Sequence, residues 1–241
     1  MARIEKHRHP MTGGYPRGEE TRARVIAAAM SLFGERGFDG ASTRGIATSA
    51  GVPTSALPYY FGNKHGLYLA CIEHVVSVVC ARMAEVIESA ERAVAGDASN
   101  AELIEAYCAI QARAAEFTSA SEGTDAWGLL IARQQAGLEP SAGFQVFYEG
   151  VNKRVSAAAA AIVGRLLGRP ADDEETLIRT MALNGQLMMF HVMRRTALTT
   201  LDWREIDPPR VALLKRIVCE HTRTLLLAMA AEREHDIPRK I

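Results

Sequence analysis

Cysteine is scarce in this chain: four in 241 residues, Cys71, Cys80, Cys108 and Cys219, with no C-x-x-C pair. That spacing offers no paired-thiol or metal-ligand motif, so no metal site is expected. It implies reduced, mostly buried thiols in a cytoplasmic protein; a redox or metal sensor has only seven scattered histidines in its favour. An excess of one charge is also missing, with 28 basic and 28 acidic side chains. Alternating strand patterns are almost absent, which excludes a sheet-based fold. No apolar run is read as reaching membrane-spanning length, and "MARIEKHRHPMTGGYPRGEE" has no apolar signal region. No membrane partner is expected. G-x-S-x-G, P-loop, H-E-x-x-H and dinucleotide fingerprints are lacking too, so neither an enzyme nor a cofactor is expected.

What is present is helical periodicity and a local charge bias. Residues 1–65 hold nine Arg or Lys and five Asp or Glu, net +4, which leaves −4 for the remainder. A basic N-terminal third on a neutral protein points to a local polyanion contact. The pattern predicts an all-α protein. Residues 1–18 read as a flexible basic arm. Helices are expected over 19–36, stopped by Gly37, then from an N-cap at Thr43 to a stop at Gly51, then over "TSALPYYF". A long helix follows from about Gly66 into the 90s. Further helices are expected at 101–117, 127–135, 144–167 and 171–195, and from 208 onward, where Asp207 and Pro208 open the last one.

The three small helices in residues 19–61 have the layout of a helix-turn-helix on a supporting first helix. The tight turn after Gly51 sets the second and third helices at a steep angle, so the third can enter a DNA major groove, about 12 Å wide. Residues 24–68, "RVIAAAMSLFGERGFDGASTRGIATSAGVPTSALPYYFGNKHGLY", carry an ordered set of residues. These are Phe33, Gly37, Phe38, Thr43, Ile46, Ala47, Ala50, Gly51, Val52, Leu57, Tyr60, Phe61, Asn63, Lys64 and Leu67. On them the segment closely resembles the N-terminal domain of the tetracycline-repressor (TetR) family. The later stretch "FHVMRRTALTTLDW" resembles the CerR-type C-terminal domain within that family.

The resemblance implies a DNA-binding domain over 19–65 and a helical effector-binding and dimerisation domain over 66–241. Within the first, Leu57 and Phe61 would hold the third helix to the core. Tyr59, Tyr60 and Lys64 would meet phosphates, and Tyr60 reads equally as a half-buried core aromatic. Thr43 and Arg44 would clamp a phosphate where helix amides favour an anion. Thr54, Ser55 and Ala56 would reach base edges. Pro58 departs from the family pattern. If Thr54 is the cap, its missing N–H costs only the first helical bond, so a tight or distorted first turn is expected.

The second domain is expected to bind an apolar or aromatic small molecule among Tyr107, Trp127, Phe144, Phe147, Tyr148, Met181, Asn184, Met188 and His191, the last two polar groups lying seven apart on one helical face. The last two helices are apolar on more than one face, which predicts a homodimer bundle. The function expected is a ligand-responsive regulator, most simply a repressor, on a palindromic double-stranded DNA operator. Its rivals are a regulator responding to cysteine oxidation or to a protein partner, and an all-α enzyme.

Overall fold

The computed structural model describes residues 16–119 and 124–236, and among them every regular element is helical. The basic arm expected at the N-terminus lies outside the described residues up to position 15. The first helix, α1, runs Pro16–Gly40, with Gly37 at φ 74° and ψ 174° breaking its path. Then come α2 (Thr43–Ala50), α3 (Ala56–Phe61) and the 32-residue α4 (Lys64–Ala95). Next are α5 (Asn100–Glu116), α6 (Thr124–Gln135) and α7 (Ser141–Phe147). A wide π turn (Tyr148–Asn152) joins α7 to α8 (Lys153–Leu167). The chain closes with α9 (Glu174–Gly185), α10 (Met188–His191), α11 (Arg194–Thr200) and α12 (Pro208–Asp236).

Two apolar clusters organise these helices. In the first, Val25, Ala29 and Phe33 repeat every four residues along α1 and meet Ile46, Leu57, Leu67, Tyr68 and Leu130. In the second, Met83 and Ile87 of α4 pack with Ile104 and Tyr107 of α5, Ile162 of α8 and Leu226 of α12. α4, about 48 Å long at 1.5 Å per residue, contributes to both. By length and composition it is also apolar enough to cross a membrane, which corrects the reading that no run reaches that length.

Local details differ from the sequence expectation for identifiable reasons. Ser42, not Thr43, caps α2: its Oγ accepts the Gly45 N–H at 3.0 Å, and Thr43 is already helical. Asn63 caps α4 through the Gly66 N–H at 2.9 Å, so that helix opens two residues early. α3 begins after Ser55, not Thr54, and Leu57 N–H bonds back to Thr54 O at 3.3 Å. Pro58 is therefore the third helical residue, in the turn where helix donors lack partners anyway, and the helix survives it.

The helix expected over 144–167 contains the π turn, and the one expected over 171–195 breaks after Gly185. At that break Leu183 O accepts two side-chain amides, Gln111 Nε2 at 3.1 Å and Gln186 Nε2 at 3.2 Å. With the Gln186 backbone N–H at 3.4 Å, these side chains take the carbonyl that a continuing helix would have used.

Candidate nucleic-acid interface and ligand cavity

The outer surface of the first three helices is built from their ends. Leu57 is buried and Phe61 half-buried, with the Arg22 guanidinium 5.4 Å from the Phe61 ring centre, so this side of α3 faces the core. Its opposite side leaves Thr54, Ser55 and Pro58 exposed, and Tyr59 is 83% exposed. Ala56 and Tyr60 are half-buried; the two tyrosine rings meet edge to face at 5.0 Å. Thr43 and Arg44 form the first turn of α2, Thr43 half-buried and Arg44 exposed. Lys64 opens α4 with its ammonium 4.5 Å from the Phe38 ring centre and 3.4 Å from Asp39 O.

Behind this surface, α6 packs against α1. The link is a buried carboxylate. Glu139, whose side chain is fully buried, accepts the Phe38 N–H at 2.9 Å and pairs with Arg133 Nε at 2.5 Å. Gly37 permits this in two ways. Its positive φ suits glycine, and a side chain there would overlap the Arg133 guanidinium. Leu130, one turn before Gln134 on the same helix, is part of the first core.

The other face of α6 lines a cavity of about 240 Å3 through Trp127, Gly128, Ile131, Ala132 and Gln135. The remaining wall comes from Val75 and Val79 of α4, Phe117, Phe147, Asn152, Met188, His191 and Val192. Of the ligand candidates, Trp127, Phe147, Met188 and His191 meet at this cavity. The other five lie elsewhere. Tyr107 is fully buried in the second core and donates to Asn184 Oδ1 at 3.0 Å, which also receives Gln111 Nε2 at 3.4 Å. Phe144 stacks on Tyr148 at 5.9 Å, Tyr148 is 42% exposed, and Met181 is 71% exposed on α9. The break after Gly185 separates Asn184 from His191, so the two do not share a helical face. Phe117, Ile131, Gln135 and the Val75/Val79 pair were missed; only the four-residue spacing of the valines and of Ile131 with Gln135 hinted at them.

Burial, reinforced by the Arg194 guanidinium, pushes the His191 imidazole down from 6.5 to about 4. The unfolded chain therefore binds a proton that the folded chain rejects between those two pH values. Stability is full above about pH 6.5 and falls as pH drops through that window, by at most roughly 3 kcal/mol. Urea unfolding at pH 7.5 and pH 5 should show this loss, and His191→Gln should shrink it. An unchanged difference would remove His191 as its source.

Burial also raises the thiols, Cys71 and Cys108 to about 12, which keeps them in the less reactive protonated form. Cys108 and Cys219 lie across the α5–α12 contact, each Sγ near the other's backbone carbonyl, at 3.7 and 3.4 Å. Among the described residues no group of three His, Cys, Asp or Glu could hold a metal ion.

A helix-turn-helix carried on a helical body with a partly open cavity defines the class: a DNA-binding transcriptional regulator. Two family profiles match. That of the bacterial regulatory proteins of the tetR family covers residues 25–71, and that of the C-terminal domain of the HTH-type transcriptional dual regulator CecR covers residues 103–229, more than half of the chain. The protein belongs to the TetR family, in the group with the CecR-type C-terminal domain, which is the name for the type read above as CerR. It is similar to CecR of Shigella flexneri, with 28% identity over 214 residues that cover 89% of this chain and 95% of that one. Its fold is similar to that of AibR in complex with isovaleryl coenzyme A and operator DNA, at a TM-score of 0.57 and 13% identity, covering 85% and 97% of the two chains. FadR from Bacillus subtilis in complex with stearoyl-CoA is similar too, at 0.52 and 18%, covering 84% and 97%.

Proposed function

We propose that the protein is a repressor that binds a palindromic operator as a homodimer and is released by an apolar or aromatic small molecule. The observation that carries this reading is the two-sidedness of α6. One face of the helix walls the cavity, and from the other Arg133 joins the Glu139 carboxylate that holds α1. Occupancy of the cavity is thereby coupled to the position of the DNA-binding helices, provided that the effector has different affinities for the two positions. The DNA-binding unit is residues 19–65, and α4, which opens at Lys64, leads into the effector-binding and dimerisation unit, residues 66–241. Thr54, Ser55 and Ala56 read base edges. Thr43, Arg44, Tyr59, Tyr60 and Lys64 hold phosphates. The regulator acts in the cytoplasm, where the operator is.

Dimerisation is supported by apolar side chains left on the outer faces of α9 and α12. Leu177, Ile178 and Met181 on α9, and Leu213, Leu225 and Leu227 on α12, are all exposed in the single chain. Two copies meeting through these faces form a four-helix bundle and set two α3 helices about one DNA turn apart.

Selection of duplexes from a random pool tests the reading. Two inverted half-sites are expected, and enrichment of a single unpaired half-site would overturn the symmetric dimer. On the selected duplex, Lys64→Ala should weaken binding and lower the salt slope by about one per subunit, read by fluorescence anisotropy across a salt series. An unchanged slope removes Lys64 from the phosphate contacts.

A further inference from the structure

The cavity wall specifies more about its occupant than an apolar character. On the reading of this cavity as the effector site, we infer that the effector is a compact, uncharged aromatic molecule of one or two rings bearing a hydroxyl. Three features of the wall carry the inference. The volume, about 240 Å3, falls below the roughly 300–1,000 Å3 of pockets that hold drug-sized ligands. Phe117 and Trp127 meet edge to face at 6.1 Å, and with Phe147 they offer ring faces and edges to a flat guest. Every polar side chain in the described wall, Gln135, Asn152 and His191, is an uncharged amide or a neutral imidazole.

The charge class follows from the same groups. The imidazole reports on a cation at its own position, since the protein holds it down to about 4 against an unfolded 6.5, a penalty of about 300-fold. A cationic guest beside it meets the same loss of water and the same repulsion from Arg194. An anionic guest would have to shed its water against a described wall that carries no Lys or Arg, a loss that attraction to the nearby Arg194 guanidinium offsets only in part. Arg194 donates to Thr118 O, and Arg82 lies 5.9 Å from the Phe117 ring centre. A neutral imidazole has one donor and one acceptor nitrogen, and a hydroxyl can satisfy either one.

The test uses three probes on one skeleton at pH 7.5: 2-naphthol, 2-naphthoate and 2-naphthylmethylammonium. Binding is read as quenching of Trp127 fluorescence in a Trp203→Phe background, and operator affinity is read in parallel. 2-Naphthol should bind at least tenfold more tightly than the carboxylate and about 100-fold more tightly than the ammonium. His191→Phe should weaken it about tenfold. Gly128→Phe, at a position with open space around it, should abolish binding with the fold intact. Equal affinity for the three probes sinks the charge class and leaves the effector reading standing. Binding of 2-naphthol with no change in operator affinity does the reverse. Quenching by none of them, with isovaleryl coenzyme A binding instead, overturns the inference.

Discussion

On the proposed homodimer, replacing Ile178 and Met181 together by aspartate should leave the subunit folded and turn the protein into a monomer that no longer holds its operator. Both side chains are exposed in the single chain, 59% and 71%, while Thr176, Thr180 and Leu183 form the buried face of α9. Aspartate on an exposed helical position costs only a few tenths of a kcal/mol of helix propensity. Across a two-fold interface the same change places four carboxylates where leucines and methionines of a partner should lie. Each would lose its water at a cost of several kcal/mol. The dimer dissociation constant should rise by at least about 1,000-fold, and operator affinity should fall with it because each half-site then acts alone. Sedimentation equilibrium and anisotropy read the two effects separately. A dimer that persists would place the interface on another face of the molecule.

Glu139→Ala is expected to have the second large effect. It leaves the Arg133 guanidinium, a third exposed, and the Phe38 N–H without the fully buried carboxylate that both now use. Removing the buried carboxylate leaves a partly solvated cation and an N–H without their partner, at a cost of roughly 1–3 kcal/mol, more than the loss of a surface ion pair. The thermal midpoint should drop by several degrees, and α1 should lose its anchor to α6, with operator affinity falling more than tenfold. Glu139→Gln, which can still accept from Phe38, should lie between the alanine variant and the parent. If Glu139→Ala keeps both its midpoint and its operator affinity, the α1–α6 joint is not part of the coupling.

The two variants probe features of different legibility. The apolar faces of α9 and α12 were visible as periodicity, because a helix with more hydrophobic surface than its own core can use repeats that surface every three or four residues. The Glu139 joint was invisible, since Phe38 and Glu139 are 101 positions apart and nothing local in either segment marks them as partners. The cavity stands between these cases. Trp127, Phe147, Met188 and His191 were found as aromatic or polarisable residues in the middle helices. Tyr107 and Asn184 looked the same in sequence, yet they bond to each other between α5 and α9.

The chain by itself determined the helical class, the three-helix DNA-binding layout and most helix ends. These depend on neighbours within a turn or two: Val25, Ala29 and Phe33 in step, and Gly37 and Gly51 at positive φ where helical paths stop. Tertiary structure alone decided where the long C-terminal helices break, which aromatic residues face open space, and how the cavity reaches the DNA-binding helices. Those outcomes turn on bonds between distant segments, such as the Gln111 amide on Leu183 O or one carboxylate on the Phe38 N–H. Hydrophobic periodicity says which side of a helix is buried; which neighbour it is buried against is known only once the chain is packed.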